Sequence, residues 1–242
     1  MCTLTLVTRA NGYSLAMNRD ERLIRGVATP PALVNLAETT AIYPRDGAGG
    51  TWVAANSHGI ALALLNWNDV PQPNGEKVRS RGDVIPALIH FSNYDKILSA
   101  LETLDLHGTW PFRLVGVFPA EKRMMEWSWT HRRLESHLHE WKLRHWFSSS
   151  LSDEQASTQR GAVCQGAWKE SDAGSAPWLR RLHASHANGP GPFSLCVHRE
   201  NVKTLSYTEI HCEFPKIACV YGEGSPCEMQ EFAEPIEMSY CS

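Results

Sequence analysis

The sequence lacks most of the patterns that announce a chemistry. Its 242 residues include seven cysteines but no CxxC pair, so neither a zinc ribbon nor a dithiol redox motif is written in it. HExxH, GxGxxG and GK[ST] are all missing, which removes the zincin, dinucleotide-binding and P-loop readings. Charge is nearly balanced, at a net -3, and gives no electrostatic case for nucleic acid or an anionic membrane. The longest apolar run, Ile60 to Leu65, is far too short to span a bilayer. No basic segment followed by a long apolar run opens the chain. An odd cysteine count without a regular framework fits a reduced, cytosolic setting. What the chain does have is 43% apolar and 20% charged residues, enough core for one domain over residues 1–242.

Two β-prone runs open the sequence, Cys2 to Thr8 and Tyr13 to Glu21, around an Asn11-Gly12 turn signal. The first begins with a cysteine behind Met1. The second ends in Asn18-Arg19-Asp20-Glu21, a polar density that a plain strand has little use for. Antiparallel pairing brings a thiol close to a guanidinium, a carboxylate and an amide. Arg19, always protonated, favours a thiolate nearby. With Met1 removed, the α-amine of Cys2 is placed as a general base, and Asp20 or Asn18 can hold it. Taken singly, Cys2 reads as a small buried hydrophobe; the constellation gives it another meaning.

Residues 22–38, with Pro30 and Pro31, read as a covering loop. Ala41-Ile42-Tyr43 leads to a turn cluster over 44–50, then to a strand from Thr51 to Ala55. Ile60 to Trp67 is a strand apolar on both faces. After a polar loop over 68–82, Asp83 and Asn93 cap helices through Phe91 and Leu104. Phe112–Phe118, Met124–Thr130, Leu134–Trp141 and Arg144–Ser148 follow as antiparallel strands. Helices are expected over Asp153–Lys169 and Pro177–Ala187, and a meander over Phe193–Arg199, Val202–Cys212 and Lys216–Tyr221. This order is that of an α+β layered fold.

Met1-Cys2, Asn18-Arg19-Asp20-Glu21, Gly49-Gly50-Thr51-Trp52, Asn66-Trp67 and Ser80-Arg81-Gly82, in this order, resemble the NRDE-domain family that includes the transport and Golgi organisation 2 proteins. The match runs along most of the chain and is patchy beyond residue 110. That family is similar to N-terminal nucleophile (Ntn) hydrolases of the bile-salt hydrolase and penicillin V acylase group. The resemblance implies a four-layer αββα sandwich, two antiparallel sheets between helical layers. It implies a Cys2 nucleophile, with Arg19 and Asp20 beside it and Asn66 as an oxyanion donor. Asn18, Trp67, Ser149 and Arg81 are then expected on the substrate side. The chain departs from the acylases in its adjacent Arg19 and Asp20, in Ser149 where a second oxyanion asparagine is expected, and in residues 191–194 where a late arginine is expected. Arg199 is the substitute for that arginine.

The expected activity is hydrolysis or acyl transfer at a carbon–nitrogen bond, other than a peptide bond, of a small molecule. It needs no cofactor. The rival expectation is a carrier for an apolar ligand such as a lipid, acyl-CoA or haem. Metal binding is not expected. The histidines at 137 and 139, 183 and 186, and 198 and 211 show no converging set of three or four ligands and are assigned to surface and packing. Trp127, Trp129, Trp141 and Trp146 are assigned to core packing. Cys196 and Cys212 are read as facing each other across a hairpin, unbonded.

Overall fold

The opening hairpin forms, with strands β1 (Cys2–Arg9) and β2 (Gly12–Arg22). Its two-residue loop is Ala10-Asn11, one position earlier than the turn signal suggested, and this register sets Cys2 opposite Arg19. Gly12 sits beyond the loop for a different reason. A β-carbon there would lie 1.9 Å from the Cys212 carbonyl oxygen of the neighbouring strand, so only glycine admits that approach.

In this computed structural model, residues 2–36, 38–71, 79–187 and 189–241 are described. Met1 and its expected removal lie outside them, as does the middle of the loop over 68–82. The remaining strands are β3 (Thr29–Leu36), β4 (Thr39–Arg45), β5 (Val53–Asn56), β6 (Ala61–Asn66), β7 (Phe112–Phe118), β8 (Arg123–Trp129), β9 (Leu134–His139), β10 (Arg144–Ser148), β11 (Val202–Glu213), β12 (Lys216–Glu223) and β13 (Ile236–Ser239). Helices α1 (Val84–Leu88) and α2 (Tyr94–Thr103) precede β7, and α3 (Asp153–Ala167) and α4 (Ala176–His183) precede β11.

Two antiparallel sheets result, one in the order β10-β1-β2-β11-β12-β13 and one in the order β3-β4-β5-β6-β7-β8-β9. Side-chain alternation divides each sheet between two cores. Leu4, Leu6, Leu15 and Met17 of the first sheet meet Ala61, Ala63, Leu65 and Val115 of the second. The outer face of the second sheet packs Leu62, Leu64 and Leu114 against Ile85, Leu88, Ile97 and Leu101 of α1 and α2. The outer face of the first packs Ala16 and Tyr207 against Ala156, Cys164, Trp178 and Leu179 of α3 and α4. The layers are therefore αββα.

Asn93, Ser152 and Ser175 cap their helices, each accepting from the backbone N–H three residues on, as their residue types favour. Asp83 makes no side-chain cap to α1, which ends at Leu88 rather than Phe91, and two further segments differ. Residues 29–36, read as a loop for their prolines, form an edge strand, where Pro30 and Pro31 fall at a register shift and leave the ladder only one partner to disturb. Residues 193–199 do not form a strand; only His198 bridges Lys203. The third strand of that sheet edge is β13, supplied from the far end of the chain. No helix among the described residues is long and apolar enough to cross a membrane.

Candidate active site around Cys2

β1 lies between β2 and β10, so its first residue has a partner on each side: Arg19 on β2 and Ser148 on β10. The Cys2 backbone N–H donates to Ser148 Oγ at 2.8 Å. The thiol faces the space between the sheets, in phase with Leu4 and Leu6. Arg19 shares that face, and its guanidinium lies 4.7 Å from the centre of the ring of Trp52, the residue just before β5 of the opposite sheet. The ring face attracts the cation, and Arg19 Nη1 is buried there without a hydrogen-bond partner. Glu21 flanks it at 4.0 Å.

Trp52 is aimed here by a close backbone crossing. A β-carbon on Gly50 would stand 2.7 Å from the Gly82 α-carbon, and Thr51 N–H donates to the Gly82 carbonyl at 3.0 Å. The Gly-Gly-Thr-Trp and Ser-Arg-Gly blocks, thirty residues apart in sequence, thus meet backbone to backbone. Arg81, just before that crossing, donates to the Pro111 carbonyl at 2.9 Å. Burial lowers its pKa to about 10, opposed by the negative charge that Cys2 and Glu21 can present to it.

Asp20 follows Arg19 and therefore points the other way, into the layer under α3. Thr204 Oγ1 donates to it at 2.7 Å, and Arg160 stands 3.7 Å away with both side chains fully buried. Burial raises the Asp20 pKa and lowers that of Arg160, and the attraction between them offsets only part of each shift. Arg160 also donates to Thr3 Oγ1 at 3.0 Å and to the carbonyls of Cys2 and Ser148 at 3.4 Å. It fastens the two strand ends that carry the thiol. The sequence reading missed it. Its signal was present: in α3, Ala156, Arg160 and Cys164 share one buried stripe, and a cation there requires a partner.

The other expected residues divide. Asn18 is turned to the helix layer, donating to the His183 carbonyl at 2.9 Å and the Leu195 carbonyl at 2.8 Å; it is not brought to the thiol face. Asn66 is half-buried at the end of β6, opposite Phe112. The phase of β6 sets it with Leu62 and Leu64, on the face that packs against α1 and α2. The end of β6 does lie beside the thiol edge. Asp153 accepts from Ser149 N–H at 2.5 Å and from Asn68 N–H at 2.9 Å, tying the segment after β6 to the one after β10. Ser149 is buried and its hydroxyl accepts from Leu151 N–H at 3.3 Å. Trp67 N–H donates to the Pro111 carbonyl at 3.3 Å, the same acceptor that Arg81 uses. Arg199 reaches Ser150 at 3.4 Å and not the thiol.

Cys2 itself is 6% exposed. Burial raises its pKa, Asp20 adds to the rise, and Arg19 and the Asp20 backbone N–H work against it.

The sequence model of one family, described as Transport and Golgi organisation 2, matches residues 1–156. The chain belongs to the Transport and Golgi organisation 2 family. The matched segment holds Cys2, Arg19, Trp52 and Arg81, the residues gathered at this site in this member of the family. Curated proteins searched by sequence give no match. Solved structures similar in fold include penicillin V acylase from Agrobacterium tumefaciens, with a TM-score of 0.55 and 12% identity over 92% of this chain and 83% of that one. A mutant of conjugated bile acid hydrolase from Clostridium perfringens has a TM-score of 0.55 and 11% identity, over 98% of this chain and 92% of that one. At such identities the likeness is one of fold, that of the Ntn hydrolases.

Proposed function

We propose that this chain is an N-terminal-cysteine amidohydrolase, acting on a carbon–nitrogen bond other than a peptide bond in a small acylated molecule. The observation that carries the reading is the pairing of Cys2 with Arg19 while its backbone nitrogen bonds Ser148 Oγ. Removal of Met1 turns that nitrogen into a primary amine next to the thiol.

In this reading the amine takes the thiol proton, and the thiolate attacks the substrate carbonyl. Asn66 and a backbone N–H hold the oxyanion. The amine then protonates the leaving nitrogen as the carbon–nitrogen bond breaks. Water cleaves the thioester to release the acid and restore the thiol. The buried setting argues for this proton route, since a thiol whose pKa burial raises needs a base at hand. Arg19 and Arg81 offer positive charge to the thiolate or to an anionic substrate, and Trp67 offers an apolar wall. The seven unpaired cysteines favour a cytoplasmic setting.

A second reading, a carrier for an apolar ligand, is favoured by a cavity of about 280 Å³ bounded by Pro30, Pro31, Tyr221, Met229 and Ile236.

The test is turnover of a panel of N-acyl amides by protein whose intact mass shows Met1 removed. Cys2→Ser nearly abolishes turnover while ligand binding persists. Retention of Met1 in protein from its native host sinks the enzymatic reading. Tight binding without turnover, with Cys2 free, establishes the carrier.

A further inference from the structure

Behind Asn18 and Asp20, on the helix side of the first sheet, His186, Cys196, His198 and Cys227 converge so that one ligand atom from each lies within 4.8 Å of all the others. Cys196 Sγ stands 3.5 Å from Cys227 Sγ and 3.6 Å from His198 Nε2, and His198 Nε2 stands 3.2 Å from Cys227 Sγ. Tetrahedral zinc, with sulfur at about 2.3 Å and nitrogen at about 2.0–2.1 Å, separates its ligand atoms by about 3.3–3.8 Å. The Cys196–Cys227 and Cys196–His198 edges fall in that range, the His198–Cys227 edge lies just below it, and the His186 nitrogen stands within 4.8 Å of the other three ligand atoms. His186 supplies an independent sign: its Nε2 is sealed from solvent and has no hydrogen-bond partner, a costly state for a ring nitrogen that ligates nothing.

The ligands come from three segments: the turn after α4, the irregular stretch before β11, and the 3-10 turn Pro226–Glu228 after β12. Each is held from behind. Asn18 bonds the carbonyls of His183 and Leu195, each within three residues of a ligand. Cys196 N–H donates to the Ser185 carbonyl at 3.3 Å. Thr204 Oγ1 accepts from Val197 N–H at 2.8 Å while donating to Asp20, and Ser225 Oγ donates to the Thr204 carbonyl at 3.0 Å. A cluster positioned by this much outside bonding is organised before any ion arrives.

We propose that these four residues form a structural Cys2His2 zinc site. Two sulfurs and two nitrogens in a tetrahedral set select zinc among divalent ions. Binding displaces two thiol protons to solvent, so the thiolates neutralise the ion. Four protein ligands leave no open position for substrate. The ion cross-links α4, the stretch before β11 and the end of β12 on the side of the sheet opposite the thiol. The inference does not depend on the activity proposed for Cys2.

The test uses the full chain, purified under reducing conditions without a metal-affinity tag. Elemental analysis is expected to find one zinc per chain. Cobalt(II) added after chelator treatment is expected to give the visible bands of a tetrahedral ion and a thiolate-to-cobalt band in the near ultraviolet. Cys227→Ser sits in a short partly exposed turn and is expected to fold, as circular dichroism will check. It weakens zinc by at least the ~10–100-fold that loss of an outer-shell partner costs, while Cys241→Ser, at an exposed position, changes nothing. Folded, reduced protein that takes up neither zinc nor cobalt overturns the proposal. So does a Cys196–Cys227 disulfide whose reduction restores no metal binding, or zinc content unchanged in the Cys227→Ser, His198→Ala double variant.

Discussion

Arg160→Met isolates the buried pair that underlies the thiol edge. The substitution keeps most of the length and removes the charge. It leaves the Asp20 carboxylate with Thr204 as a fully buried partner, and it strips donors from Thr3 Oγ1 and from the carbonyls of Cys2, Ser148 and Pro192. Breaking a buried pair from one side costs about 3–5 kcal/mol, against a total stability of about 5–15 kcal/mol for a typical domain. A chain of this size loses roughly 2–4 °C of Tm per kcal/mol, so a fall of about 6–20 °C is expected. Adding Asp20→Asn removes the buried charge, and the double variant should recover about 1–3 kcal/mol of the loss. The sign with pH is also fixed. Burial raises the Asp20 pKa above its ordinary 3.8, so its favourable contribution is full below that value and is lost as pH rises through the folded value. The deficit of Arg160→Met therefore narrows in acid. Urea unfolding followed by tryptophan fluorescence measures the parent, the two single variants and the double variant at several pH values. Losses that simply add in the double variant, or a single-variant loss under about 1 kcal/mol, would refute the coupling.

Asn18→Asp, nearly isosteric, exchanges two donated bonds for repulsion between a carboxylate and the carbonyls of His183 and Leu195; it should cost at least the ~1–3 kcal/mol of an unsatisfied buried acceptor, read as a lowered urea midpoint. Gly50→Ala forces the crossing at Gly82 apart and should cost about 1–3 kcal/mol as an overpacked contact; an unchanged Tm would show that the two blocks yield freely. Burial lowers the pKa of His145 to about 4, and burial together with repulsion from His145 lowers that of His183 to about 3. Both folded values lie below the ordinary 6.5, so the stability these neutral rings contribute is complete above that value and is lost as pH falls towards 4 and then 3. Glu209 adds to the acid sensitivity: burial opposes its charge, but bonds from His211, Arg180 and Tyr207 prevail and hold its pKa at about 2, so its contribution fades as pH drops through that range. A urea midpoint that stays level from pH 7 to pH 4 would contradict the histidine assignment.

What the sequence alone determined is what local chemistry encodes. Phe112–Phe118 and Arg144–Ser148 form strands with the expected bounds because period-two patterning is a property of a few neighbouring residues. Asn93 caps its helix through its own side chain. Cys2 and Arg19 meet because a short hairpin leaves few registers open, though the loop fell one residue early. The α+β class followed from the order of periods along the chain, whereas the αββα layering was implied by the family resemblance. Tertiary structure alone decided the rest. Cys2 gains Ser148 across a strand pair nearly 150 residues apart, and a chain closing so large a loop has no local signal to announce it. Arg160 was visible as a cation on an apolar stripe, yet its partner Asp20 lies on a different layer. Residues 193–199 carried strand-like composition but are bent by what they contact, and the histidines failed every spacing rule because their companions arrive from three segments. Spacing reads ligands carried on one helix or one turn; His186, Cys196, His198 and Cys227 become neighbours only when the sheet beneath them is complete.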